Sequence, residues 1–298
     1  MDGRPGPAAD NKRVTAAIRD ASGGLGRTAS PAVADAERFP MDVFLLFLLV
    51  GLLAQTVDGA LGMAYGLISS SVLLAFGVPP AVASASVHGA EVFTTAASAG
   101  SHIWNRNVDW RLFTPLVIAG VIGGVLGAFV LTGIDGAMIK PFIIAYLALM
   151  GLYILWRASR DLRPAVIPLW VAGPLGLVGG FLDAIGGGGW GPTVSSTLVG
   201  AGQEPRRAIG TVNTAEFLVT VAISATFVWT LVTGHWQSAG ALEHHATAIA
   251  GLVVGGLIAA PFAGYVTRIV PRRAMTYAVG ILLLGLAAFQ GLQMAGLV

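Results

Sequence analysis

Asp58, Glu91, Asp183 and Glu216 each lie within long hydrophobic sequence, and they fall into two pairs with one separation, 125 residues. A carboxylate deep in a bilayer is costly unless it is protonated, paired or facing a water-filled cavity. The chemistry open to such groups is proton uptake and release, or cation binding. His88 and Glu91 stand three apart and Thr95 lies four beyond, so one helical face presents all three. Asn213, Glu216 and Thr220 repeat that arrangement in the second copy. Glu91, Glu216, Asp58 and Asp183 are therefore proton-coupling candidates. The alternative for the glutamates is a buried hydrogen-bond network joining helices. For the aspartates it is capping of short helices, since Asp satisfies orphan backbone N–H groups at a helix start.

A second constellation could hold an anion. Gly186-Gly187-Gly188-Gly189-Trp190-Gly191-Pro192 disfavours a continuous helix. A helix restarting after such a break points N–H groups and the positive end of its dipole into the membrane interior. Gly187, Gly188 and Gly189 would supply backbone donors, and Ser195, Ser196, Ser70 and Ser71 hydroxyls on the helical pieces that follow. Thr211, Asn213 and His88 complete the substrate-binding candidates. The alternative is that glycine serves only close helix packing, as small residues do throughout membranes.

The elements that must position these groups come in duplicate. Between Gly51 and Trp104, 17 of 54 positions are identical to the residue 125 further on, without a gap. The chain is 55% hydrophobic and 11% charged, against roughly 25% charged in a soluble domain. Apolar runs of about 20 residues, the length that crosses a bilayer, recur along it. The fold class is an all-α polytopic membrane protein. Each repeat (41–163 and 164–298) should hold a broken or re-entrant helix pair, over 42–77 and 166–201, followed by three transmembrane helices. These helices are expected near 80–103, 112–133 and 137–156, then 205–232, 246–267 and 273–296. The first break is expected at Asp58-Gly59-Ala60-Leu61-Gly62. Residues 1–40 are rich in Gly, Pro, Asp and Arg and read as a disordered or non-native extension, with Met41 as the expected start.

Basic residues give an orientation. Loop 104–111 holds Arg106 and Arg111, while its counterpart 229–236 has no Lys or Arg. The 77–80 turn is uncharged, while its counterpart carries Arg206 and Arg207. The loop near 134–140 has one Lys, whereas its match holds Arg268, Arg272 and Arg273. Under the positive-inside rule equivalent loops lie on opposite sides, so the repeats are expected to be inverted. That places Met41 outside, against the basic character of residues 1–40.

Other classes are disfavoured. Arginines sit at membrane edges, including Arg157, Arg160 and Arg163 between the halves, and no basic patch for nucleic acid forms. The absence of cysteine excludes disulfides, iron–sulfur clusters and thiolate metal sites. Glu243-His244-His245 resembles a metal clip but reads as solvated side chains, so no metal and no cofactor is expected. No Gly-Lys-Ser/Thr element supports ATP binding, and no catalytic triad is evident. His102, Trp104, Trp110 and Trp236 fit an interfacial belt. The expected partners are the lipid bilayer and a small solute, and a homo-oligomer is compatible with the sequence.

The glycine run with its proline, followed by Ala208-Ile209-Gly210-Thr211, resembles the TauE/SafE sulfite-exporter family over residues 42–296. The first copy departs from that pattern, with Leu61, Met63 and Ala64 at glycine positions and Ala83-Ser84-Ala85-Ser86 for Ala-x-Gly-Thr. The resemblance implies a secondary transporter of the cytoplasmic membrane, moving sulfite, a sulfonate or a related small anion. The carboxylates by themselves also suit a cation transporter, and a non-transporting membrane scaffold is the third reading.

Overall fold

The computed structural model describes residues 40–61, 63–160, 168–201, 203–236, 239–240, 242, 245–260 and 272–298. Gly62, Arg163, Glu243, His244, Arg268, the extension 1–39 and the boundary expected between the repeats lie outside them. Helix α1 spans Pro40–Leu61 and α2 Tyr65–Ala75. Helices α3 (Pro80–Trp104), α4 (Trp110–Gly133) and α5 (Gly136–Ala158) follow. The second half has α6 (Ala172–Gly186), a π-helical turn Gly191–Ser195 continuing into the short α7 (Ser196–Gly200), and α8 (Pro205–Val232). Helices α9 (Ala246–Ala259) and α10 (Arg272–Met294) end it. Among the described residues six helices are long and apolar enough to cross a membrane.

Local chemistry explains the ends. Pro80 and Pro205 open α3 and α8, where the missing proline N–H removes no helical bond. Asp109 and Asp135 cap α4 and α5, accepting from Arg111 N at 3.0 Å and Ala137 N at 2.9 Å. Outward faces are apolar: Leu45, Leu49 and Leu53 of α1 are each about half exposed, as a surface facing lipid chains requires.

Glycines set how the helices pair. A side chain at Gly51 of α1 would strike the Leu252 carbonyl of α9, and one at Gly176 of α6 would meet the Leu116 carbonyl of α4. The first helix of each half thus lies against the fourth helix of the other, backbone on backbone, as small residues permit. The equivalent helices α3 and α8 cross antiparallel at the centre. Asn213 Nδ2 donates to Ser98 Oγ at 3.2 Å, while the His88 ring, toward the other end, lies 6.2 Å from Phe227. Helices α5 and α10 are antiparallel too: Gly151 lies against Leu284, and Arg273 Nε donates to the Ala158 carbonyl at 2.9 Å.

Two expectations are corrected. Helix α1 does not break at Asp58 but continues to Leu61, with the interruption at residues 63–64. The reason is that Gly59 is flanked by Leu, Ala and Val, which sustain a helix, and one glycine costs it only about 1 kcal/mol. Trp236 is not at a lipid interface: it is buried, 5.7 Å from the Phe227 ring. Trp104 and Trp110 are exposed.

Candidate functional site

Both chain breaks are built alike. In the first, Asp58 Oδ1, on the last turn of α1, reaches across the gap and accepts from Tyr65 N at 3.2 Å. In the second, Asp183 Oδ1 of α6 accepts from Trp190 N at 3.0 Å. Each carboxylate thus meets the first backbone N–H of the helical piece beyond its break, where the dipole favours negative charge. Tyr65 and Trp190 occupy equivalent positions, and both rings are buried. The Trp190 indole donates to the Val212 carbonyl at 3.1 Å, and Tyr65 OH to the Leu252 carbonyl at 3.4 Å.

The two breaks touch. Gly188, at φ 157°, sits so close to Gly66 and the Leu67 N–H that no Cβ fits. Gly187, at φ 69°, is in the left-handed region and lies against Ser70. Glu91 of α3 brings Oε1 against Gly66, where an added Cβ would lie 2.9 Å from it.

Asp183 carries more partners than Asp58. Its carbonyl accepts from Gly187 N at 2.7 Å and Gly188 N at 3.3 Å. Its Oδ2 lies 3.3 Å from His88 Nε2, and both side chains are almost completely buried. On the other ring nitrogen, His88 Nδ1 faces the Ser84 carbonyl at 2.8 Å. A carbonyl only accepts, so Nδ1 carries a hydrogen. The Nε2–Oδ2 link then needs one further proton, held on either atom. The pair is neutral with that proton and negative without it. Ser84 Oγ donates to the Ala184 carbonyl at 2.5 Å, fixing α3 against α6 beside the pair.

The interior also holds polar capacity that the protein does not use. Glu91 Oε2, Ser71 Oγ, Ser195 Oγ, Asn213 Oδ1, Thr220 Oγ1 and Tyr146 OH are buried and make no hydrogen bond within the protein. Such groups cost on the order of 1–3 kcal/mol each when left unmade. Glu91 is within electrostatic reach of Asp183, Glu216 and Asp58, and Glu216 of Asp58 and Asp183. All four acids therefore belong to one centre. Among the described residues no group of three His, Asp or Glu side chains is close enough to hold a metal ion.

The remaining candidates divide. Ser196 Oγ points to Met63 Sδ at 3.4 Å, in the first break. Ser70 donates back to the Leu67 carbonyl at 3.4 Å. Thr211 lies apart: its hydroxyl donates to the Arg207 carbonyl at 2.7 Å and accepts from Asp109 N at 2.8 Å, tying α8 to the α3–α4 loop. Thr95 Oγ1 donates to the Glu91 carbonyl. Gly189 faces Tyr146, whose hydroxyl would lie 2.7 Å from an added Cβ.

Sequence reasoning missed four contributors. Tyr146 packs under the glycine run, and Ser84 supports His88. Gln290 Nε2 donates to the Ser71 carbonyl at 3.2 Å from a fully buried position. Arg157, read as a loop residue, donates from Nη1 to the Ser196 carbonyl. Two glutamines three apart in an apolar helix, Gln290 and Gln293, were the available signal. For Arg157 there was none, because its partner lies 39 residues away.

A model of the family described as sulfite exporter TauE/SafE matches residues 47–289. A protein of Bacillus subtilis (strain 168) named "Probable membrane transporter protein YtnM" is 45% identical over 235 residues, covering 76% of each chain. No solved structure matches the chain. With the matching model spanning most of its length and that relative close, the chain belongs to the TauE/SafE family, a family of multi-pass membrane transporters rather than enzymes.

Proposed function

We propose that the protein is a secondary transporter of the cytoplasmic membrane that moves a small sulfur oxyanion, sulfite or a sulfonate, together with protons. The observation that carries this reading is the His88–Asp183 pair, which joins α3 to α6 across the two halves and whose Nε2–Oδ2 contact needs one proton between the two atoms. Losing it leaves a buried negative charge beside Glu91, Glu216 and Asp58, and repulsion would separate the halves. The family match supports the cargo class. Ser71 and Ser195 have hydroxyls with unmade hydrogen bonds on the helical pieces after the breaks, so a −SO3 group could be met by hydroxyl donors. Protons on the acids would offset its charge. The N–H groups of Gly187, Gly188 and Trp190 are bonded to Asp183 in this conformation, so the anion would reach them only after Asp183 moves.

The two halves, 41–163 and 164–298, are read as inverted repeats. Antiparallel packing of the equivalent helices α3 and α8 supports this, as does the opposite placing of arginines in equivalent loops. Opposed repeats can rock about a central site to give alternating access.

A cation as cargo is the second reading. It is favoured by Glu91, which lies in electrostatic reach of the other three acids and has its Oε2 unpartnered. Proteoliposomes holding the full chain decide between them. Labelled sulfite and taurine uptake that responds to an imposed pH gradient is the expected result. Uptake of sodium with no movement of either anion would replace the first reading by the second. Absence of any solute flux from folded protein would favour a scaffold.

A further inference from the structure

A cavity of about 260 Å³ opens beside the paired breaks, at the end of the molecule where the arginines of α5 and α10 gather. Its walls include Arg157, Arg160, Arg273 and Thr276, and its inner edge is Met63 and Ser196. Met63, in the first break, and Ser196, at the start of α7 beyond the second, are in contact. The cavity therefore leads from an arginine-lined mouth to the residues where the two breaks meet.

A positive-inside bias alone would leave these arginines turned toward headgroups. Arg157 instead is half-buried and directs its guanidinium inward, to the Ser196 carbonyl. The other half shows what a purely structural bond at this place looks like. Ser71 is the counterpart of Ser196, and its carbonyl receives the neutral amide of Gln290 at 3.2 Å. Gln293 likewise reaches the Ala75 carbonyl at 3.4 Å. A neutral amide suffices to hold that helical piece, so the charge of Arg157 is surplus to the structural task. Arg160 lies at the rim, 5.6 Å over the Trp156 ring, and Arg273 is held by the Ala158 carbonyl.

We propose that this cavity is a docking site for the anion, outside the central carboxylate site and on the way to it. Arg157 exchanges its bond to the Ser196 carbonyl for a two-pronged bond to two oxygens of a −SO3 group, the geometry a guanidinium fork favours. Arg160 and Arg273 raise the local anion concentration at the mouth. At about 30 Å³ per water molecule, the cavity has room for a four-atom oxyanion and several waters. The proposal rests on a small oxyanion being the cargo.

The test separates docking from transport. Purified full-length protein in detergent is melted in sodium sulfite and in sodium chloride at equal ionic strength. Wild type should be stabilised by sulfite, R157Q should lose that gain, and R157K should keep part of it. In proteoliposomes R157Q should raise the half-saturating sulfite concentration about tenfold, a loss of about 1.4 kcal/mol, with the maximal rate largely kept. If R157Q is recovered poorly, R160Q, altered at an exposed side chain, should weaken the sulfite gain while leaving melting in chloride unchanged. Sulfite stabilisation equal in wild type, R157Q and R160Q would overturn the proposal, as would no stabilisation of wild type. Arginine-dependent sulfite binding without flux would uphold the docking site and count against the transport reading alone.

Discussion

The two chain breaks are copies of one device put to different use. At each, an aspartate accepts from the first N–H of the helical piece beyond the gap. Asp58 does this from a half-buried position with no histidine partner, whereas Asp183 is buried and also bonded to His88. The histidine comes from the first half, so the second break owes its chemistry to the first. The counterpart of His88 is Asn213, which turns instead to Ser98 of α3. A duplicated scaffold supplies two equivalent caps, and one substitution on a central helix assigns the titratable pair to one of them.

The comparison can be broken most severely at the aspartates. Asp183→Ala leaves the Trp190 N–H and His88 without their acceptor in a buried site. It should cost about 3–5 kcal/mol and abolish flux, while Asp58→Ala should cost about 1 kcal/mol, as loss of a cap does. Thermal unfolding of the two variants compares them directly, and equal losses would refute the asymmetry. Next in size is Gly188→Ala, whose Cβ would collide with the Gly66 backbone. A loss of about 3 kcal/mol is expected, seen as poor recovery of folded protein by size exclusion.

His88→Asn would give the first half the residue of the second. An amide there donates to Asp183 without the extra proton, so sulfite uptake should respond less to a pH gradient although the protein folds. Glu216→Gln should likewise remove the pH dependence of flux; an unchanged profile would exclude a coupling role. The smallest effect concerns the breaks themselves. Ala64 holds φ 118° where the second copy has Gly189. Ala64→Gly should therefore stabilise by about 1 kcal/mol. Gly189→Ala should destabilise, because its Cβ would meet Tyr146 and the Leu182 backbone. Both are read from melting curves.

Much of this was legible in sequence because hydropathy and proline placement act locally. Pro80 and Pro205 open α3 and α8 at the expected residues. The glycine run marked the second break, because four successive glycines remove the side chains that stabilise a helix. The first break was displaced, since Gly59 alone does not stop α1. The shared face of His88, Glu91 and Thr95 followed from helical spacing, and all three are buried. What helical spacing could not say is that His88, besides bonding Ser84 of its own helix, faces Asp183 of the other half. Nor could it remove Thr211 from the breaks, because its hydroxyl is committed to a loop 102 residues earlier.

The sequence by itself determined a chain of apolar helices in two related halves, with acids inside them. Membrane length, helical period and duplication are properties of local or repeated sequence. Tertiary structure decided which acid received a histidine, which N–H groups were spent on capping, and which serine met an arginine. Those outcomes depend on backbones crossing at Gly66 and Gly188, where contact between residues more than a hundred positions apart is set by three-dimensional packing.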